Sequence, residues 1–378
     1  MRFSAEQRGF ADAVRAFCAK ECGSPEQRAA LTEGGTLADS PALLRRFAEL
    51  GWLGISLPAE HGGQGGSFVD ECLFLEETGR GLAPATAYGT GLTAAQTYLH
   101  WGTDEQKRTI VASICAGNFE SIALSEPGAG SDLASARMPA VRDGDHFVLD
   151  GQKTWTTAAH LARHVLVLVR TDASERKHDG LTLLMVPADT AGIDVRPIDT
   201  MYGHTVNDVY FTDVRVPVEA VVGTVGGAWR QLNRGLGVER LIIAASSLGA
   251  AERSFDDLLG YVTQREQFGR TIGSFQAVRH RIADLATEIA LCRSFLYDVA
   301  DRLDAGDEAD LSRDSSTAKI RCTEAAKQTA LEAVQLMGGY GYAREYGMEA
   351  QVRKALAPPI YGGTNEIQRE IISRSLGL

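Results

Sequence analysis

The chain lacks any run of about 18 apolar residues, the length a helix needs to cross a bilayer, so stable membrane insertion is not expected. Its opening, Met-Arg-Phe-Ser-Ala-Glu-Gln, lacks the apolar core of a signal peptide, which argues against secretion. A basic surplus is missing too. Lys and Arg number 38 against 49 Asp and Glu, a net charge of −11, which is no footprint for nucleic acid. Cys-x-x-Cys pairs are absent among Cys18, Cys22, Cys72, Cys115, Cys292 and Cys322. Cys18 and Cys22 stand one helical turn apart without a second ligand pair. The expectation is neutral thiols in a reducing cytoplasm. His160 and His164 have helical spacing but no carboxylate or cysteine nearby in sequence, so no metal site is expected. There is no internal repeat and no low-complexity segment.

What is present suffices for a packed core: 378 residues, 44% of them hydrophobic. That length suggests two or three domains, or one large helical body around an insert. Helical spacing of apolar residues covers 4–20 and 40–50, with Ser40-Pro41 as cap and first turn. His61-Gly-Gly-Gln-Gly-Gly66 is a loop, and 68–116 is helical again with breaks near Gly81–Pro84 and Gly102. Near residue 120 the pattern changes. Residues 146–150, 165–170, 181–186 and 209–212 are rich in β-branched and aromatic side chains, and Arg142-Asp-Gly-Asp145 reads as a hairpin turn. From about Gly226 the helical pattern returns, with long periodic segments at 236–262, 274–304, 315–337 and 364–376, as in an antiparallel bundle. The order predicts an α+β multidomain fold, with helices, a β-domain of barrel or sandwich type, then a helical bundle.

Several local motifs carry chemistry. Gly51-Trp-Leu-Gly-Ile-Ser-Leu-Pro58 precedes the glycine loop, and Gly102-Thr-Asp-Glu-Gln-Lys107 follows. Ser125-Glu-Pro-Gly-Ala-Gly-Ser-Asp132 and Gly151-Gln-Lys-Thr-Trp-Thr-Thr157 come next. Arg265-Glu-Gln-Phe-Gly269, Phe275-Gln276, Gln335-Leu-Met-Gly-Gly339 and Gly363-Thr364 complete the set. Glycines at 128 and 130 let a backbone approach a flat ring without a Cβ clash. Ser125 and Thr157 offer short hydroxyls to the polar edge of such a ring, and Trp155 offers a stacking face. Arg265 has a fork that matches phosphate. Taken singly, these are a Gly-Pro turn, a core Trp and a solvated arginine.

Together and in this order the motifs resemble the acyl-CoA dehydrogenases over essentially the whole chain. The resemblance implies an N-terminal helical domain at 1–118, a β-domain at 119–222 and a four-helix bundle at 223–378. It implies FAD held by Leu124, Ser125, Gly130, Ser131, Trp155, Thr157, Arg265, Phe268, Phe275, Gln276, Gln335, Gly338, Gly339, Thr364 and Glu366. It implies an acyl-CoA, or acyl-carrier, substrate contacted by Ser131, Arg240, Gly362 and Gly363. Arg265 and the Gln335–Gly339 stretch would reach a flavin whose ring lies in another subunit, which implies a homo-oligomer, usually a tetramer.

One family residue is missing. Most members carry a glutamate, the base that takes the substrate's α-proton, directly before the Gly-Thr pair; here that position is Gly362. Long-chain and isovaleryl-type members instead carry a glutamate just before an arginine on a bundle helix. Glu239-Arg240 matches that pattern, so Glu239 is the expected base. It adjoins the apolar run Leu241–Ala245, which suggests burial and raised basicity. The usual Arg-Asp pair upstream reads Arg353-Lys354. The implied reaction is α,β-desaturation of an acyl thioester, with electrons passed to an electron-transfer flavoprotein. Two alternatives stay open: an oxidase or flavin monooxygenase on the same fold, and a flavin-supporting, non-catalytic subunit of a heterotetramer. The acyl group is not legible.

Overall fold

Hydroxyl caps open most of the early helices. In the computed structural model, which describes residues 3–172 and 176–378, α1 (Ala5–Cys22) starts on Ser4 with a reciprocal capping box to Gln7. A short α2 (Pro25–Leu31) follows, then α3 (Pro41–Glu49), where Ser40 accepts from Leu43 N–H and Pro41 fills the first turn. Helix α4 (Phe68–Arg80) has a Ser67/Asp70 capping box. Helices α5 (Tyr88–Trp101) and α6 (Asp104–Cys115) follow, α6 with a Thr103/Gln106 box. Each box satisfies N–H groups that a helix end leaves without intrahelical partners.

Among the described residues, seven strands then form two sheets. Strands β1 (Phe119–Ala123), β4 (Ala162–Arg170) and β5 (Leu181–Pro187) make one in the order β1-β4-β5, with β1 and β4 parallel. Strands β2 (Ala140–Asp143), β3 (His146–Thr157), β6 (Ile193–Pro197) and β7 (Val206–Pro217) make the other, antiparallel in the order β2-β3-β7-β6. Val165, Val167, Leu184 and Val186 from the first sheet share a core with Phe147, Leu149, Val209 and Phe211 from the second. Alternation of buried and outward residues along β3 and β7 fits sheets packed on one face.

The C-terminal part holds α7 (Ala228–Gln264), α8 (Gln276–Asp304), α9 (Leu311–Met337), a one-turn α10 (Gly339–Tyr342), α11 (Met348–Ala355) and α12 (Asn365–Ser375). A two-residue hairpin, β8 (Glu266–Gln267) and β9 (Arg270–Thr271), lies between α7 and α8. Leu258, Val262, Leu285, Ala333, Met337 and Met348 make a core among α7, α8, α9 and α11. By packing the chain divides into one unit of residues 1–30, 67–83 and 240–378, and another of 31–66 and 84–239.

Helix α7 starts at Ala228, close to Gly226 where the sequence pattern turns helical, and runs through Gly235 and Gly237 into the periodic segment 236–262. Gly235 packs closely on Thr97, where an added Cβ would come within 3.2 Å of Oγ1. Tertiary packing overrides the low helix propensity of glycine here. One sequence expectation needs correction. His160 and His164 do not share a helix face: His160 is in the turn after β3, and His164 is on β4. A carboxylate does reach His164, whose Nδ1 is 3.2 Å from Glu120. His160 stacks on His204 at 4.0 Å, and burial, then His204, pushes its pKa down to about 4. Among the described residues no group of three or more His, Cys, Asp or Glu is placed to hold a metal. None of the described helices is long and apolar enough to cross a membrane.

Candidate active site

In the unit of residues 31–66 and 84–239, β1 ends at Ala123 and the chain enters the Leu124–Asp132 loop. Glu126 and Ala129 exchange backbone hydrogen bonds of 3.0 and 2.9 Å, closing a tight turn. The turn is anchored from beneath by Lys153, whose side chain is wholly buried. Its Nζ donates to the Leu124 carbonyl at 3.1 Å and to Glu126 Oε1 at 2.7 Å. Glu126 also accepts from the backbone N–H of Arg137 at 2.8 Å and of Met138 at 2.9 Å. Burial pushes the Lys153 pKa down to about 8 against the pull of Glu126. Burial also opposes the Glu126 charge, but Lys153 and the two N–H donors outweigh it and hold that carboxyl below its usual range.

The loop faces outward beside a strained tryptophan. Thr154 N–H donates to the Ser125 carbonyl at 2.9 Å, tying loop to strand. Lys153 pairs with Val209 and Thr156 with Asn207, so β3 carries one residue more than β7 between them. This bulge puts Trp155 at φ +58° and leaves it 60% exposed. A left-handed Trp costs on the order of 1–2 kcal/mol, and bulges of this kind re-aim a side chain. Thr157 follows, half-buried, its carbonyl accepting from Ser121 Oγ at 2.6 Å. Gly128 and Gly130 have ordinary φ, and a Cβ added at either would meet nothing within 4 Å. The protein's own packing does not demand glycine there; an approaching ring would. Leu124 and Ser125 are thus tied to the strand segment that carries Trp155 and Thr157, and the open space at Gly128 and Gly130 fits the approach of a flavin ring.

In the other unit, the guanidinium of Arg265 lies 5.3 Å from the centre of the Tyr340 ring. A groove of about 530 Å³ runs past Tyr261, Arg265, Ile272, Gly338, Gly339 and Tyr340. Phe268, at φ +54° on the hairpin tip, is 92% exposed and sits edge-on to Phe275 at 6.1 Å. Gln276 and Gln335 are exposed, Gln276 with its Nε2 3.3 Å from His280. The three glycines after α9 have different reasons. At Gly341 a Cβ would strike the Val334 carbonyl at 2.7 Å, so packing requires it. Gly338 needs its backbone conformation, φ +63° and ψ −140°. Gly339 has neither constraint and opens onto the groove. Gly338 and Gly339 follow the C-terminal end of α9, where the helix dipole disfavours an anion. A bound phosphate would therefore depend on Arg265.

The same unit holds the Gly362–Thr364 turn. Gly362 and Gly363 have φ of +63° and +77°. Gln368 Nε2 donates to both carbonyls at 2.9 Å, and Lys319 Nζ donates to that of Gly363 at 2.9 Å. Thr364 caps α12, accepting from Ile367 N–H at 3.3 Å, and Glu366 is exposed in the first turn. On α7, Arg240, in this unit, is buried, whereas Glu239, the last residue of the other unit, is half-buried, less than its apolar neighbours suggested. Arg240 Nη1 reaches the Ser312 carbonyl at 3.3 Å. Arg353 pairs within α11 with Glu349 at 2.8 Å.

Residues 4–118, 121–214 and 226–377 match, in turn, the families described as acyl-CoA dehydrogenase N-terminal, middle and C-terminal domain. The chain belongs to the acyl-CoA dehydrogenase family. It is an oxidoreductase, and the family implies a flavin. It is 36% identical to the mitochondrial isovaleryl-CoA dehydrogenase of Solanum tuberosum over 331 residues, 86% of this chain and 79% of that one. It is 31% identical to the caffeyl-CoA reductase-Etf complex subunit CarC of Acetobacterium woodii over 382 residues, 100% of this chain and 99% of that one. The crystal structure of an acyl-CoA dehydrogenase from Geobacillus kaustophilus superposes with a TM-score of 0.92 at 33% identity, covering 100% and 99% of the two chains.

Sequence reasoning missed four side chains that hold the acyl-CoA dehydrogenase loops in place: Glu126, Lys153, Lys319 and Gln368. Lys319 had a signal. It falls on the α9 face of Ser315, Ser316, Cys322, Thr323 and Ala326, all buried, and a lysine on a buried stripe requires polar partners.

Proposed function

We propose that this chain is an FAD-dependent acyl-CoA dehydrogenase that desaturates an acyl thioester between the α and β carbons. Bound FAD would supply the hydride acceptor. Glu239 takes the α-proton. Backbone N–H at Gly362, with Gly363, polarises the thioester carbonyl, and Ser131 and Arg240 complete the substrate contacts. Ser125 and Thr157 hold the edge of the ring and Trp155 covers a face. Arg265, Phe268, Phe275 and Gln276 hold the adenosine-diphosphate half together with Gln335, Gly338, Gly339, Thr364 and Glu366. The electrons pass to an electron-transfer flavoprotein, in a cytoplasmic homotetramer serving lipid or acyl breakdown. The observation that carries this reading is the open glycine loop at Ser125–Ser131 beside the outward-turned Trp155.

The test is a panel of long-chain, branched, steroid side-chain and carrier-bound acyl thioesters, offered with an artificial electron acceptor. The purified protein should be yellow, with one non-covalent FAD per chain, and at least one thioester should bleach the flavin band. Colourless protein that FAD cannot reconstitute would refute the reading.

Arg265→Ala gives a narrower expectation. A charge-assisted contact to phosphate contributes about 1.5–3 kcal/mol. The variant should therefore bind FAD roughly 10- to 100-fold more weakly by calorimetric titration, with its unfolding midpoint unchanged. The parent's mass in solution should be that of a dimer or tetramer. A monomer that retains FAD tightly, or an Arg265→Ala chain that holds FAD like the parent, contradicts the assignment across subunits.

A further inference from the structure

A buried lysine lies directly behind the Gly362–Gly363 turn. Lys319, on α9, has no solvent exposure. Its Nζ donates to the Gly363 carbonyl at 2.9 Å and to Asn365 Oδ1 at 3.0 Å. Gln368, equally buried on α12, directs its amide nitrogen to the carbonyls of Gly362 and Gly363, each at 2.9 Å. Its Oε1 accepts from Ser316 Oγ at 2.9 Å, which fixes the orientation of the amide. Asn365 is itself held, donating to Thr323 Oγ1 at 3.1 Å and Glu324 Oε1 at 3.0 Å. Side chains from two helices thus converge on the carbonyl oxygens of two consecutive glycines. Taking an ammonium out of water is costly, and an apolar residue would fill the same space without that cost.

We propose that Lys319, together with Gln368, is a positioning residue that fixes the Gly362–Gly363 turn so that the Gly363 N–H is aimed at the thioester carbonyl. This rests on the reading of that turn as the carbonyl-binding element. The geometry follows from the planar trans peptide, in which N–H points opposite to C=O. Clamping the Gly362 and Gly363 oxygens turns the N–H groups of Gly363 and Thr364 away from the clamp. The Gly362 N–H belongs to the preceding peptide plane, which the clamp does not hold. Two adjacent glycines are the freest backbone a chain can have, so orientation here needs an external brace. A positive charge at the carbonyl end of an amide also polarises it and strengthens the N–H donor. Gly363 leaves room for this brace: a Cβ there would lie 2.7 Å from Gln368 Nε2.

The experiment compares Lys319→Met, Gln368→Leu and Lys319→Arg with the parent by two readouts. The first is amide hydrogen exchange of residues 360–364 in the FAD-free protein. The second is flavin reduction at saturating acyl-CoA, separated into kcat and KM. Lys319→Met and Gln368→Leu should each speed exchange in that segment at least tenfold, with α7 and α8 protected as in the parent. Each should lower kcat about 10- to 100-fold, less than outright loss of an oxyanion donor, with KM within threefold, because the aimed donor acts mainly in the transition state. Lys319→Arg, which keeps charge and donors, should recover most of the rate. Unchanged exchange, kcat within threefold of the parent, or a loss carried by KM overturns the proposal. If Lys319→Met does not fold, Gln368→Leu alone decides. If no thioester reduces the parent's flavin, the reading of the reaction fails, and the exchange arm still decides the brace.

Discussion

Glu239→Gln is expected to slow flavin reduction by acyl-CoA by about 10²- to 10⁴-fold, the range general-base catalysis supplies. Glutamine keeps the size and hydrogen-bonding capacity of glutamate and removes only its basicity, so FAD content and acyl-CoA affinity should stay near the parent's. We propose Glu239 for this role because Gly362, where the family resemblance would otherwise place a base, has no side chain. A complementary pair tests the same idea from the other side. Gly362→Glu added to Glu239→Gly should restore part of the rate. Full restoration is not expected, because residue 362 sits at φ +63°, and a left-handed conformation costs an L side chain about 1–2 kcal/mol. Flavin reduction in Glu239→Gln within threefold of the parent would falsify the assignment and favour chemistry that needs no proton-abstracting carboxylate, such as an oxidase.

The elements the sequence predicted well are those whose signals are local. Ser40-Pro41 specifies a helix start within a few residues, and α3 begins at Pro41. Arg142–Asp145 specifies a turn, and β2 meets β3 there with Gly144 at φ +63°. The long helices α8 and α9 follow apolar spacing that a reader can count. Trp155 was legible as a type of residue but not as a geometry, because its exposure comes from a bulge set by pairing with β7. Short elements such as β6, α10 and the β8–β9 hairpin lack enough residues to show a period. Lys153 and Lys319 were hardest, because a lysine is ordinarily a surface residue. Their partners are carbonyls and side chains contributed from distant parts of the sequence, so only the folded chain reveals them. Buried polar braces are therefore where a site is least legible from sequence, even when the residues that face the ligand are spelled out in motifs.

The largest loss of stability is expected from Gly249→Ala in α7. A Cβ built there lies 1.9 Å from the Glu76 carbonyl oxygen and 2.9 Å from the Arg80 nitrogen of α4. From the other side, a Cβ on Gly79 of α4 would lie 2.7 Å from the Ser246 carbonyl of α7. The two backbones therefore cross in direct contact at a pair of glycines. Helix α4 is not free to retreat from a methyl group, because the Glu76 side chain is ion-paired with Arg293 and accepts from Tyr297 Oη–H at 2.6 Å. Overpacking a tight core costs about 1–3 kcal/mol and occasionally more; with backbone on the receiving side, a loss of about 3 kcal/mol is expected in urea unfolding. Gly260→Ala is the control. It lies in the same helix, is exposed, and a Cβ there meets nothing within 4 Å. Replacing an unconstrained helical glycine should stabilise by about 0.5–1 kcal/mol. Opposite signs from one substitution on one helix would locate the constraint at the crossing. Equal effects would mean that α4 and α7 do not touch there. The consequence reaches the proposed chemistry, because α7 also carries Glu239, and a crossing that permits no slack fixes the helix on which the proposed base is mounted.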